Sequence, residues 1–465
     1  MIQSTDFALI ILAAGMGKRT GSSLPKVLIK TSEGIALIGY VLKTIKEISP
    51  SRLLVVVGNQ KELVQEDCGR ICSNLGLNAE YCVQEQQKGT GDAVKACTSS
   101  LANFSGPVVI LCGDMPLIES RTLDKLLKTH EDSKATLTLV TLDLEEDNSF
   151  GRILRSSEGL IQEIRERKDC SPEQAQIKEK NLGIYCVESS FLFSALERIR
   201  DKNAQSEYYL TDIVQIAAKE EQRISSISCS QIQEALGVND MKDLLDVSQA
   251  LRKGTIDSLA RKGVTFLAPE SVVIDPEVEI ESGVVIGPSV QIKGKSKIGA
   301  ATMIEGTSII TDSIIGSNCY LKLGSYITRA ILEDSVTIGP FAQIRPDSHL
   351  QENVIIGNFV ELKNAKLAKG VKANHLSYLG DCEVGEDSNI GAGTITCNYD
   401  GVKKSRTTIG SKVFVGSNTA LVAPVQLGDG CVIGAGSVIT KNVEADALAL
   451  TRTPQLTKSG WAKRR

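Results

Sequence analysis

The sequence predicts a two-part fold, a Rossmann-like α/β domain followed by a parallel β-helix of hexapeptide repeats. Three observations carry this. At 465 residues the chain exceeds what one hydrophobic core usually supports. Before about residue 240, short apolar runs alternate with amphipathic stretches; after residue 280, an aliphatic residue recurs at every sixth position for stretch after stretch.

In the first part the clearest strands are 7–12, 53–57, 108–112 and 137–142. Strands alternating with helices imply a mostly parallel sheet covered on both faces, with ligands held in loops beyond the carboxyl ends of the strands. Residues 239–263 carry Met241, Leu244, Leu245, Val247, Leu251 and Ile256 at near-helical spacing and little Gly or Pro, which reads as a rigid helical connector.

In the second part Ile280, Ile286, Ile292, Ile298, Ile304 and Ile310 form one run. After a five-residue step come Ile315, Leu321 and Ile327, then Leu332, Ile338, Ile344, Leu350, Ile356 and Leu362. Val384 and Ile390 resume the grid, and Ile409, Val415, Leu421, Leu427, Ile433 and Ile439 complete it. A helix repeats every 3.6 residues and a strand every 2, so neither period alone explains a six. Each hexapeptide is then one short strand plus a corner, and stacked coils bury a column that one coil cannot bury alone. Glycine often follows the inward residue, as at Gly287, Gly299, Gly316, Gly339, Gly357, Gly385, Gly391, Gly410, Gly416, Gly428 and Gly434, where a corner backbone is expected to need it. Residues 396–408 break the register and are expected to leave the column as an external loop, on the face where solenoids bind ligands.

A net charge of −4 gives no electrostatic case for nucleic acid or an anionic membrane as partner. Twelve cysteines without Cys-x-x-Cys spacing read as reduced thiols, and the apolar run 7–14 is too short to span a bilayer, so a cytoplasmic protein is expected.

Two loops of the first part carry chemistry. The first, Leu12-Ala13-Ala14-Gly15-Met16-Gly17-Lys18-Arg19 followed by Lys26, has small residues that let backbone N–H groups approach phosphate oxygens, and Arg19 and Lys26 to neutralise charge. It fits neither a Walker A loop nor a dinucleotide fingerprint. The second, Gly113-Asp114-Met115-Pro116-Leu117, places a carboxylate just past a buried strand, suited to Mg²⁺ and equally to a helix cap or turn. In the second part, of the three histidines only His375 sits in a dense polar cluster, with Tyr378 three residues on and Arg345, Glu361, Lys363 and Asn389 expected in neighbouring coils. An imidazole suits proton removal from a nucleophilic amine.

With these motifs in hand, the chain resembles the bacterial bifunctional N-acetylglucosamine-1-phosphate uridyltransferase and glucosamine-1-phosphate acetyltransferase family. The likeness runs from the first loop to Trp461. It implies an α/β nucleotidyltransferase domain with a Rossmann-like mixed sheet over 1–241, a helical linker over 242–262 and a left-handed β-helix over 263–465. It also implies UTP and UDP-sugar contacts at Leu12, Ala13, Ala14, Gly15, Lys26, Gln84, Gly89, Thr90, Cys112, Gly113, Asp114, Gly151, Glu166, Asn181 and Asn239, with Mg²⁺ on Asp114 and Asn239. Segment 203–212 is similar to a further signature of the family.

Arg345, Lys363, Tyr378 and Asn389 would bind glucosamine 1-phosphate, Ala392, Asn398, Tyr399, Ser417, Ala435 and Arg452 acetyl-coenzyme A, and His375 would be the base. A homotrimer with acetyltransferase sites between subunits is likewise implied. The chain departs from the family pattern at Cys112, where tyrosine is frequent, at Lys18, where threonine is, and at Asp92, where histidine is. The rival readings are a single-activity nucleotidyltransferase with a regulatory β-helix and a β-helix that is only a trimerisation scaffold; neither accounts for the polar cluster around His375.

Overall fold

The computed structural model describes residues 6–17, 20–229 and 231–464. Two compact units divide the chain, Met1–Leu251 and Arg252–Arg465.

The first unit is built on strands β1 (Ala8–Leu12), β2 (Arg52–Val57), β3 (Ala79–Val83), β4 (Pro107–Cys112), β5 (Leu137–Asp143), β6 (Arg152–Arg155), β7 (Ile161–Arg165), β8 (Glu179–Glu188) and β9 (Ile224–Ser228). Its helices are α1 (Leu37–Ile48), α2 (Lys61–Leu75), α3 (Thr90–Lys95), α4 (Ser120–Ser133), α5 (Pro172–Ala175), α6 (Ser189–Leu196) and α7 (Asp212–Lys219). The sheet order is β3-β2-β1-β4-β8-β5-β9, with β6 and β7 attached to β8. Strands β3, β2, β1 and β4 are parallel, whereas β8 runs antiparallel between β4 and β5, so the sheet is mixed. Alternate residues of β1 face two different cores: Leu9 and Ile11 one way, Ala8 and Ile10 the other. Burial on both faces is why this strand reads as an unbroken apolar run.

Helix α8 (Met241–Arg261) spans the division between the units. Leu244 and Val247 pack with Ile29, Leu37 and Val238 of the first unit, and Ile256 and Leu259 join the core of the second. The helix therefore contributes side chains to both cores.

The second unit is a parallel β-helix. Each coil presents three short strands, and residues about 18 apart pair in register: Ile274 with Ile292, Ile280 with Ile298, Ile286 with Ile304. The five-residue steps make 17-residue coils without disturbing the column, since Ile298 pairs with Ile315 and Ile315 with Leu332. Between Leu362 and Val384 the column continues through Leu367, Ala373 and Leu379, all buried.

Two expectations are corrected. Of the glycines that follow inward residues, only Gly339 has a left-handed backbone. The others serve close approach of the next coil: a Cβ on Gly287 would lie 1.7 Å from the Glu305 carbonyl oxygen, and one on Gly357 1.9 Å from that of Asn374. Left-handed corners fall instead at residues such as Asp312, Asn364, Leu376 and Asp381. The register break is also shorter than 396–408. Thr396 stays in the column, paired with Leu421, because its hydroxyl serves the backbone of Gly380, accepting from its N–H at 2.7 Å; Thr407 is already paired with Cys382. Only 398–406 is left outside the regular strands.

Candidate active sites

In the first unit, β1 and β4 end side by side, with Leu12 opposite Cys112. The Gly113 N–H donates to the Leu12 carbonyl at 3.0 Å, and a Cβ there would meet Val27, Ile11 and Leu12 within 3.3 Å, so the loop carrying Asp114 lies tight against the first loop. Ala13 is tied to Val56, and Lys26 N–H reaches back to the Gly15 carbonyl. The Lys26 ammonium bridges two oxygens: it pairs with the Asp114 carboxylate and donates to Asn239 Oδ1 at 3.0 Å. The Asn239 segment is held to the same loop by the Val238 N–H donating to the Asp114 carbonyl. One carboxylate and one amide oxygen already converging on a cation fit a hard ion such as Mg²⁺. Among the described residues no group of three or more His, Cys, Asp or Glu encloses a metal, so phosphate and water oxygens would have to complete the shell. Burial and neighbouring Asp114 push the Cys112 thiol up to about 12, leaving it neutral. Arg19, and Lys18 beside it, lie outside the described residues.

A second cluster adjoins this one. Gln87 donates to the Ala14 carbonyl at 2.6 Å, which joins the 84–91 segment to the first loop. Gln84 is buried beside Gly89 and lines a cavity of about 430 Å³ with Met16, Gly58 and Gln87. Gly89 has φ +110°, and a Cβ there would lie 2.6 Å from the Tyr208 carbonyl oxygen. Segment 203–212 is the seam: Tyr208 pairs with Lys88 and Gly91, Leu210 N–H donates to Thr90 Oγ1 at 3.0 Å, and Thr211 donates to Glu166 at 3.2 Å. Burial pushes the Glu166 carboxyl up, and the Thr211 bond opposes it only in part. Asn181 N–H donates to the Gly151 carbonyl at 2.9 Å, so Gly151, Glu166 and Asn181 share one end of the unit.

In the second unit, Arg345 and Glu361 form an ion pair at 2.7 Å on adjacent coils, and Tyr378 is the next coil's partner of Glu361. Gly380 leaves room for the Tyr378 ring, since a Cβ there would lie 2.4 Å from the phenol oxygen. The nearest cation, Lys404, and then Arg345 push the Lys363 ammonium below the ordinary lysine range. Three cations thus crowd one place, and the sequence reading missed Lys404, which the outer loop brings back opposite Tyr399. Burial raises the Asp381 carboxyl, but amide donors from Asn364 and Asn398, with Lys404 and Lys363, prevail and hold it low.

His375 Nδ1 lies 2.6 Å from Asn358 Oδ1. An amide oxygen only accepts, so Nδ1 carries the proton and Nε2 its lone pair. Asn358, His375, Ala392, Ser417 and Ala435 each stand two residues past an inward one and stack as one corner column. Gly393 N–H donates to the His375 carbonyl, Asn418 to Ala392, and Gly436 to Ser417. Arg452 lies over Gly434 and Gly436 beside Ala435, and Tyr399 is exposed in the outer loop. Asn389 stands apart, in a different row, between Lys372 and Phe414.

The fold and these clusters define a nucleotidyltransferase-type α/β unit joined to a hexapeptide transferase of the left-handed β-helix class. Residues 8–253 match the family described as Nucleotidyl transferase, and 329–364 and 406–441 match Bacterial transferase hexapeptide (six repeats). "Bifunctional protein GlmU" of Trichlorobacter lovleyi is 42% identical over 98% of this chain and 97% of its own length. The proteins of that name from Geotalea uraniireducens and Streptococcus thermophilus are 41% and 40% identical, covering 98% and 97% of this chain and 98% and 96% of their own. The chain belongs to the GlmU family of bifunctional proteins.

Proposed function

We infer that the chain acetylates glucosamine 1-phosphate with acetyl-coenzyme A and then transfers UMP from UTP to the product, giving UDP-N-acetylglucosamine and pyrophosphate for cell-wall precursors. Acetyl transfer is assigned to 263–465, UMP transfer to 1–241, and 242–262 to the connecting helix. The observation that carries the reading is the corner column, in which a histidine whose Nδ1 is paired with Asn358 heads a strip of small residues, in the same unit as the crowded cations Arg345, Lys363 and Lys404.

At that column His375 Nε2 takes a proton from the 2-amine as its nitrogen attacks the thioester carbonyl; the C–S bond breaks and coenzyme A leaves as its thiol. Arg345, Lys363 and Lys404 hold the sugar phosphate and Tyr378 orients the sugar, whereas Asn389, in its separate row, would reach the sugar only across a neighbouring copy of the chain. Ala392, Ser417 and Ala435 leave a groove for the pantetheine arm, with Asn398, Tyr399 and Arg452 at its sides.

In the first unit, an oxygen of the sugar phosphate attacks the α-phosphorus of UTP and the bond to pyrophosphate breaks. Lys26 and Arg19 place and neutralise phosphate oxygens; Leu12 to Gly15 and Gly113 offer backbone to them. Gln84, Gly89 and Thr90 face the base, and Gly151, Glu166 and Asn181 face the sugar. Mg²⁺, held by Asp114 and Asn239, supplies further charge neutralisation when bound.

A homotrimer is part of the proposal. Phe341 and Phe359, stacked with centroids 5.8 Å apart, are 50% and 57% exposed, and Leu376 next to His375 is 63% exposed. An apolar ridge beside the proposed base suits cover by a second copy. The test is to supply UTP, Mg²⁺, glucosamine 1-phosphate and acetyl-coenzyme A and omit each in turn. UDP-N-acetylglucosamine formed without acetyl-coenzyme A, or no coenzyme A release in the complete mixture, would sink it.

A further inference from the structure

We propose that Asp92 is a positioning residue through which the first unit selects uracil over cytosine, by fixing which end of the Gln84 amide meets the base. The proposal rests on reading Gln84 as the base contact. Gln84 Nε2 donates to the Gly89 carbonyl at 3.0 Å and to Asp92 Oδ2 at 2.8 Å. Both amide hydrogens are thereby used, and Oε1 is the polar atom left for a ligand.

A glutamine amide has nearly the same shape either way round, so its orientation is decided by its partners. Here both partners are acceptors. A carboxylate and a carbonyl donate nothing, and turning the amide over would set Oε1 against two oxygens. The frame cannot yield easily: Gln84 N–H is bonded to the Val57 carbonyl at 2.8 Å, and Gly89 is hemmed in by Tyr208. Uracil presents an N3–H donor to a fixed acceptor; cytosine presents an N3 lone pair to it. A buried polar group left unpaired by the wrong base is a strong source of discrimination. Asp92 reaches this position from the first turn of α3.

The experiment compares kcat/KM for UTP and CTP, with N-acetylglucosamine 1-phosphate and Mg²⁺, in the full-length protein and in Asp92→Asn, Asp92→Ala, Asp92→Glu and Gln84→Ala. Asn is nearly isosteric and lets the amide sit either way; Ala removes one of the two acceptors. Both are expected to lower the UTP-over-CTP ratio by on the order of tenfold, with Asp92→Glu recovering part of it. Coenzyme A release by the same preparations reports that the second unit is folded, and an unchanged thermal melt that the first is. A purely structural role for Asp92 would reduce turnover of both nucleotides together and leave the ratio in place, which overturns the proposal. If Gln84→Ala collapses the ratio and the Asp92 variants do not, the proposal fails and the base-contact reading stands. If Gln84→Ala also leaves the ratio intact, both fail.

Discussion

Replacing Asn358 by alanine isolates what holds the proposed base in place. The 2.6 Å bond from His375 Nδ1–H to Asn358 Oδ1 is the only polar contact of the ring among the described residues, and it fixes both ring angle and tautomer. A neutral hydrogen bond of this kind contributes about 1 kcal/mol net. Losing it also lets the proton move to Nε2, where the lone pair is needed, so kcat for acetyl transfer should fall about five- to tenfold. Among the described residues the Asn358 side chain is hydrogen-bonded to the histidine alone, so KM for glucosamine 1-phosphate should hold. His375→Ala removes the base itself and should cost on the order of 10²- to 10⁴-fold. Thiol release at saturating acetyl-coenzyme A measures both, and pyrophosphate release from the same protein should be unchanged. An Asn358→Ala enzyme with full kcat, or His375→Ala retaining more than a tenth of it, would refute the assignment of His375 as an oriented general base.

Asp114→Ala, or chelation of divalent metal, should abolish pyrophosphate release and leave coenzyme A release intact; loss of both from a folded protein would mean the sites are not independent. Gly357→Ala puts a Cβ 1.9 Å from the Asn374 carbonyl oxygen, one residue from both Asn358 and His375. It should destabilise the β-helix by roughly 1–3 kcal/mol and depress acetyl transfer, seen as a lower denaturant midpoint for that unit. Burial, then Glu163 and Asp169, push Asp212 up to about 6. A folded-state value above the unfolded one means stability is lost as pH rises from about 4 to about 6. Asp212→Asn should therefore stabilise the first unit at pH 7.5 by on the order of 2 kcal/mol and do nothing at pH 4, as melts at the two pH values will show.

The β-helix was legible because its core is one-dimensional: each inward residue needs only to be apolar and on the grid. The gap from Leu362 to Val384 was obscure because Ala373 is small and the steps to Leu367 and Val384 are five residues, both permitted where neighbouring coils set the register. Thr396 was misread for a different reason. A hydroxyl in the column looks like a break, and only the neighbouring coil reveals the Gly380 backbone it serves. The corner glycines illustrate the same limit, since a glycine kept for a positive φ and one kept for a passing carbonyl are identical in sequence.

The site residues divide along the same line. Those borne on local motifs, such as Leu12 to Gly15 and Gly113-Asp114, could be named because strand, loop and chemistry lie within a few residues. Asn239 lies 213 residues from Lys26 and is joined to it only by folding. Lys404 looked like an ordinary charge in a solvated loop, and it becomes a phosphate-binding candidate only where the loop returns it to Lys363. A cation that pushes a neighbouring lysine's ammonium down destabilises the unliganded state, and an arriving dianion relieves that cost. The prediction that follows is directional. Lys404→Ala should weaken glucosamine 1-phosphate binding while letting Lys363 stay charged to higher pH, so the alkaline rise in KM should begin later in the variant than in the parent. A KM profile that rises at the same pH in both would mean the two ammonium groups do not share a phosphate.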